Sequence, residues 1–198
     1  MKTVTRNLFA VLAVGSLLAG LPTAAQASGE QASPTPVEVV TVPAPSTLTD
    51  AEMAALSPGS VSLAAPASSG ATARAANPYK PLCTLDIGNV YKRTSGDKYK
   101  YGTVGAKPST KCTGNVPRIE QSTAIYRKTA GGWAKITGDF FSFSAGVASL
   151  TQKNIEYVCK SYSKNDYKVV TLGAVWYPGL KPVSGGAYEI SNGKLACG

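Results

Sequence analysis

The sequence predicts an all-β domain, an antiparallel two-sheet sandwich with two disulfides, preceded by an export signal and a disordered linker. Two observations predict this fold class. Apolar residues in the C-terminal part alternate with a period close to two, which is typical of half-buried strands. Turn residues separate seven or eight such segments within 122 residues, and two sheets are needed to cover each other's apolar faces.

Residues 1–27 have the features of a signal peptide. Lys2 and Arg6 give a positive start, an apolar run follows, and Ala25-Gln26-Ala27 is a small-residue cleavage pattern. The apolar run is too short to span a bilayer comfortably. We therefore expect cleavage after Ala27 and a secreted, extracellular or wall-associated protein that has no transmembrane anchor after cleavage.

The composition of residues 28–76 predicts a disordered linker or a removable pro-segment. Of these 49 residues, 34 are Pro, Ala, Ser, Thr or Gly, and none is aromatic, so too little apolar surface is available to offset chain entropy. Thr49 and Glu52 have capping-box spacing at the start of a short run of helix formers. A helix this short is marginal alone, so the run is interpreted as a transient turn or as a recognition helix of a pro-region.

Residues 77–198 form the predicted β-sandwich domain. Every aromatic residue beyond the signal lies here, as do 17 Lys and Arg against 7 Asp and Glu, a net charge of +10. The linker has a net charge of −3, so the basicity belongs to the folded part. The clearest alternating segments are 118–127, 133–137, 141–147, 154–162, 167–176 and 187–197, with the first two joined by a turn at 129–132.

The domain contains four cysteines: Cys83, Cys112, Cys159 and Cys197. An even number of cysteines in an exported chain predicts two disulfides. A turn at 94–97 would place Lys92 opposite Tyr99 and Cys83 opposite residue 108, four residues short of Cys112. A bulge, or the break at Pro108, could close that offset. This register favours Cys83 with Cys112 and Cys159 with Cys197.

The Tyr157-Val158-Cys159 spacing resembles the tyrosine corner of immunoglobulin-like sandwiches, and this resemblance implies an immunoglobulin-like arrangement of the two sheets. That resemblance implies a rival pairing, Cys112 with Cys159 and Cys83 with Cys197. The overall layout of signal, Pro/Ala/Ser linker and Cys-bearing β domain is similar to that of exported proteins of unknown function in high-GC Gram-positive bacteria. It implies residence outside the cytoplasm and assigns no catalytic residue.

The residue inventory excludes several classes of chemistry. With no histidine, the chain cannot build a Ser-His-Asp or Cys-His pair. The cysteines are 29, 47 and 38 residues apart, unlike zinc ligands, and no phosphate-binding glycine motif occurs. We therefore expect no metal and no cofactor. These exclusions disfavour an enzyme. A carboxylate-dependent hydrolase stays open, because Glu120 and Glu156 are the only pair of acids on predicted central strands. The alternative interpretation of these two residues is that they are ordinary exposed charges on a strand.

Tyrosines interleaved with basic residues indicate a possible anion-binding surface. Its candidate residues are Lys92, Arg93, Lys98, Lys100, Arg127 and Lys128. The alternative is ordinary packing, with tyrosines such as Tyr99 and Tyr101 facing the core and lysines facing water on an edge strand. The function predicted is a non-enzymatic binding module for an anionic envelope polymer or acidic protein. The alternatives are a secreted inhibitor or toxin-like effector and, third, the carboxylate hydrolase.

Overall fold

A computed structural model describes residues 42–65, 81–94 and 99–198, all within one compact unit, Val39–Gly198. The predicted signal peptide, the rest of the predicted linker and Lys98 lie outside the described residues. A 3-10 helix (Pro45–Thr47) and α1 (Asp50–Ala54) come first. The strands are β1 (Ser57–Pro58), β2 (Ser60–Ser62), β3 (Cys83–Asp86), β4 (Tyr91–Arg93), β5 (Thr103–Ala106), β6 (Ser109–Thr129), β7 (Gly132–Lys135), β8 (Phe140–Thr151), β9 (Ile155–Val158), β10 (Lys164–Asn165), β11 (Tyr167–Trp176), β12 (Val183–Ile190) and β13 (Leu195–Ala196).

The main sheet has eight strands and curls nearly into a barrel. Its order is β1-β12-β11-β6-β3-β2, with β7 and β8 paired to β6. Only the β1–β12 pairing is parallel among the strands of this sheet. The two ends of the path, β1 and β2, are separated only by Gly59, whose N–H donates to Tyr188 O (2.8 Å) and whose carbonyl accepts from Ile87 N (3.0 Å). Gly59 has a φ of 71°, a backbone conformation that favours glycine.

A three-stranded sheet, β4-β5-β9, shares its core with the main sheet, and β10 and β13 form a small two-stranded sheet. Val104 and Ile155 from the smaller sheet pack in one cluster with Ile119 and Val175 from the larger one. The all-β fold with sheets packed across an apolar core is therefore confirmed. Among the described residues, no helix is long and apolar enough to cross a membrane.

The predicted disulfides, Cys83–Cys112 and Cys159–Cys197, are confirmed, and the immunoglobulin-type rival pairing is wrong. The register argument that favoured them was incorrect, because Lys92 lies opposite Val104 rather than Tyr99. The connection between β4 and β5 is longer than the predicted turn, and the β4–β5 register, if continued, would place Cys83 opposite Thr113. Cys83 lies directly opposite Cys112 because β3 pairs with β6 in the main sheet, separately from the pairing of β4 with β5.

The prediction of a disordered linker does not hold for residues 42–65. Leu63 is fully buried, and β1 and β2 pair with the main sheet. The capping box at Thr49 and Glu52 is formed and starts α1. The segment is poor in apolar residues, but Val42, Leu48, Met53, Leu56 and Leu63 all pack against the sheet, so the β domain supplies the core that the segment lacks.

Candidate anion-binding site

The outer face of the main sheet positions the candidate site. Ala124 and Tyr126 on β6 and Val170 on β11 form an apolar strip on this face. The segment 48–56 covers the strip through Leu48, Met53 and Leu56. Beside this cover lies a pocket of about 470 Å³, lined by Pro45, Ser46, Leu48, Asp50, Met53, Ala54, Tyr126, Gly131, Gly132, Trp133, Lys135 and Lys168.

Tyr126 anchors the N-terminal segment at the pocket wall. Its side chain is buried, and its hydroxyl donates a hydrogen bond to Pro45 O (3.0 Å). Burial, together with the nearby charge of Asp139, raises the pKa of Tyr126 to about 12. The hydroxyl is therefore a neutral hydrogen-bond donor at physiological pH, already satisfied by the chain's own carbonyl.

Lys168 is the unusual residue of the pocket. It lies opposite Tyr126 across β6 and β11 and is only 8% exposed. Its ammonium nitrogen lies 4.8 Å from the ring centroid of Trp133 and 4.8 Å from that of Tyr188. No carboxylate or hydrogen-bond acceptor of the described chain pairs with this nitrogen. Burial lowers the pKa of Lys168, and the charge of Lys128 lowers it further.

Lys128 is the second cation beside Trp133. It lies directly opposite Trp133 across β6 and β7, and its ammonium nitrogen is 5.2 Å from the indole centroid. Two ammonium groups therefore approach the same indole ring. Lys128 is exposed and keeps its solvation, whereas Lys168 is largely buried, and a cation–π contact of about 0.5–2 kcal/mol offsets its loss of solvation only partly.

Among the described residues, no acid forms an ion pair with Lys128 or Lys168. Asp139 is engaged by Lys135 Nζ (2.8 Å) and by the Ser46 hydroxyl (2.6 Å). Burial alone would raise the pKa of Asp139, but the hydrogen bonds from Lys135 and Ser46, with the charge of Lys135, lower it. The carboxylate therefore stays ionised and compensates Lys135. Asp50 lines the same pocket without forming an ion pair in the described structure.

The arrangement suits the binding of an anion beside an aromatic ring. The side chain of Lys168 is largely buried, but its ammonium nitrogen keeps contact with solvent and has no counter-ion, so an anion that enters the pocket would pair with it directly. The indole adds an apolar surface at the same place.

The structure separates the basic residues predicted from the sequence. Lys92 and Arg93 lie on β4 of the three-stranded sheet, whereas Arg127 and Lys128 lie on β6 of the main sheet. Lys92 Nζ donates to Ala196 O and lies 5.3 Å from the Tyr162 ring, and Arg93 pairs with Glu156 at 2.7 Å. Of the predicted residues that the structure describes, Lys128 alone contacts an aromatic residue that lines the pocket.

The interpretation of 98–101 as an alternating edge strand is wrong in its described part. Lys100 and Tyr101 lie in a turn that Gly102 N closes on Tyr99 O at 2.9 Å. Lys100 is exposed, with its ammonium nitrogen 5.2 Å from the ring of Tyr101.

Glu120 and Glu156 do not form a carboxylate pair. Glu120 is fully buried on the main sheet, so it is not the exposed strand charge considered as the alternative. Its carboxylate pairs with Arg118 and accepts a hydrogen bond from Val42 N (3.1 Å). Glu156 lies on the three-stranded sheet and pairs with Arg93. Each acid has its own arginine, and Glu120 holds the N-terminal segment on the sheet.

The candidate residues taken from the sequence include neither Trp133 nor Lys168, although Tyr167-Lys168 belongs to the same pattern of tyrosines interleaved with basic residues. A usable signal was present for Lys168: it is the only charged residue of the ten-residue strand β11, in which nine residues are buried. A lysine in a strand that is apolar on both faces is unusual, because lysine is rarely buried unless it is paired. Trp133 carried no such signal, since its role depends on the pairing of β7 with β6.

No protein-family model, characterised protein or solved structure matches this chain. Within the described ranges, no three or more His, Cys, Asp or Glu side chains cluster so that they could hold a metal ion. The two disulfides indicate an oxidising environment.

Proposed function

We propose that this protein is a non-enzymatic binding module that acts outside the cytoplasm and binds an anionic polymer of the cell envelope, such as a teichoic acid. One observation carries the proposal: Lys168 is 8% exposed, lies between two aromatic rings, and has no acidic partner among the described residues. Lys128 adds a second charge at the same indole. A phosphate-bearing ligand would supply the missing counter-charges.

The net charge of the chain supports a polymeric rather than a small ligand. The formal net charge is +9 at pH 7, so the protein attracts polyanions at a distance as well as at the pocket. Long-range attraction raises the association rate, whereas contacts in the pocket fix where the chain of phosphates is held. The predicted signal peptide and the two disulfides agree with a function in the cell envelope.

The test is isothermal titration of the purified protein, disulfides intact, with poly(glycerol phosphate) over a range of salt concentrations. We compare the parent protein with Lys168→Met and Lys128→Met, which keep the length of the side chain and remove its charge. Each variant should weaken binding by about tenfold and reduce the steepness of the log–log salt dependence by about one. Titration with a neutral polysaccharide should give no binding.

Lys181→Met is the matched control, because Lys181 is exposed and lies after β11, outside the pocket lining. It removes the same charge and should change the affinity less than about twofold, since it alters only the long-range attraction. Equal losses in all three variants would contradict the pocket and leave only diffuse attraction. Binding that does not weaken with salt would contradict the electrostatic mechanism altogether.

A further inference from the structure

Strand β8 has one edge that no other described strand covers. It runs for 12 residues, Phe140–Thr151, and pairs with β6 along one side. No strand in the described part of the chain pairs with its other side. An unpaired edge presents a row of backbone N–H and C=O groups that another strand can bind.

The composition of β8 does not protect this edge. Its sequence, FFSFSAGVASLT, contains no charged residue and no proline. Two shorter strands carry basic residues instead: the three-residue β4 carries Lys92 and Arg93, and the four-residue β7 carries Lys135. Lysines and short length are the usual means by which edge strands avoid pairing with another chain, and β8 lacks both.

Two phenylalanines on β8 extend the apolar surface beside the edge. Phe141 is 46% exposed and Phe143 is 59% exposed, and their ring centroids are 6.3 Å apart. The guanidinium of Arg118 lies 4.8 Å from the Phe143 centroid, and its charge is compensated by Glu120. On a chain with a net charge of +9, this part of the surface is locally neutral and aromatic.

We propose that β8 pairs with β8 of a second copy of this chain, antiparallel, so that the main sheet continues across a two-fold axis. Gly146 has a φ of 66°, and the register with β6 shifts beyond Val147, so the regular part of β8 available for pairing is Phe140–Ala145. An axis at Phe143 places that residue opposite its own copy and Phe141 opposite Ala145 of the second copy. All of these side chains lie on the same outer face, because β8 alternates along this stretch.

Charge argues for a second copy as the occupant. Two copies of a +9 chain repel each other over most of their surfaces, but antiparallel self-pairing along Phe140–Ala145 brings no like charges into contact. The aromatic rings of both copies also meet at the axis, where cross-strand aromatic pairs stabilise antiparallel sheets.

Sedimentation of the purified protein over a wide range of concentrations tests the pairing. The parent protein should show a monomer–dimer equilibrium. Phe143→Lys should weaken dimerisation by at least about tenfold, because it places two ammonium groups at the axis and removes two rings. Leu180→Lys is the matched control: Leu180 is 39% exposed in the turn after β11, and this variant should dimerise as the parent does. A parent protein that is monomeric throughout, or equal losses in both variants, would overturn the proposal.

Disulfide trapping tests the position of the axis. A cysteine in Phe143→Cys lies opposite its own copy in the proposed dimer and should form an intermolecular disulfide under mild oxidation, located by peptide mapping. Asn192→Cys introduces an exposed cysteine elsewhere and should form such a bond much more slowly. Equal rates for the two variants would refute this axis. Lys168→Met should leave dimerisation unchanged, so failure of the anion-binding proposal does not affect this one.

Discussion

Replacing Leu63 by alanine tests whether the N-terminal segment is part of the folded unit. Leu63 is fully buried in the main core cluster, although it lies within a stretch whose composition predicts disorder. Its N–H donates to Cys83 O at 2.8 Å, and its carbonyl accepts from the Tyr177 hydroxyl. A Cβ on Gly185 would lie 2.9 Å from Leu63 Cδ2, and one on Gly173 would lie 3.4 Å from Cδ1. The leucine therefore rests directly on the backbone of two strands.

This geometry sets the expected loss of stability. Truncating a fully buried leucine costs the transfer free energy of its methyl groups and leaves a cavity. Here part of the cavity wall is strand backbone at Gly173 and Gly185, which cannot collapse without disturbing the sheet. We expect Leu63→Ala to lower the free energy of unfolding by about 3–4 kcal/mol. For a unit of this size, the midpoint of thermal unfolding should fall by about 10 °C.

Urea unfolding followed by tryptophan fluorescence measures the change, with thermal unfolding as a second readout. Leu82→Ala is the control, because Leu82 is 62% exposed and its truncation should cost less than about 0.5 kcal/mol. The free energy of unfolding should fall with urea concentration at the same slope in both variants, since the surface area that becomes exposed on unfolding hardly changes. A loss below about 0.5 kcal/mol for Leu63→Ala would refute the docking of residues 42–65 and restore the prediction of a linker.

Two further predictions concern pH and the disulfides. Burial and the charge of Asp139 raise the pKa of Tyr126 in the folded protein to about 12, against about 10 in the unfolded chain. Its contribution to stability is therefore complete below pH 10 and is lost as the pH rises to about 12. In urea unfolding, Tyr126→Phe should lose less stability than the parent between pH 10 and pH 12, and identical losses would contradict this assignment. Cys83–Cys112 and Cys159–Cys197 close loops with sequence separations of 29 and 38 residues. Replacing either pair by alanines should lower the free energy of unfolding by about 4 kcal/mol through chain entropy, and a loss below about 1 kcal/mol would show that the bridge is not structural.

Local pattern was enough to predict most of the strands. Strand β11 matches the predicted bounds 167–176, and the turn at 129–132 joins β6 to β7 as expected. The predicted strand 118–127 lies in the C-terminal half of β6, and 141–147 lies within β8. The alternating period is a property of neighbouring residues, so it survives without knowledge of the partner strand. The predicted segment 187–197 failed in part: its first residues belong to β12, and β13 pairs separately with β10.

The candidate site could not be predicted in the same way. Lys168, Trp133 and Tyr188 come from three different strands and meet only because β7, β6, β11 and β12 are neighbours in one sheet. Strand order and register depend on contacts between distant residues, which a single sequence does not show. The grouping of Lys92 and Arg93 with Lys128 failed for the same reason, since the chain switches sheets between β3 and β4.

The sequence by itself determined the all-β class and the basic character of the β domain, because alternation and charge are properties of the chain. The favoured cysteine pairing is correct, but the strand register that produces it was decided only by the tertiary structure. Only the tertiary structure decided where the folded unit begins. Residues 42–65 have too few apolar side chains to form a core, yet the larger ones pack on a sheet that other residues build: Val42, Leu48, Met53, Leu56, Val61 and Leu63. Composition measures what a segment can bury alone, whereas folding depends on what the whole chain can bury together.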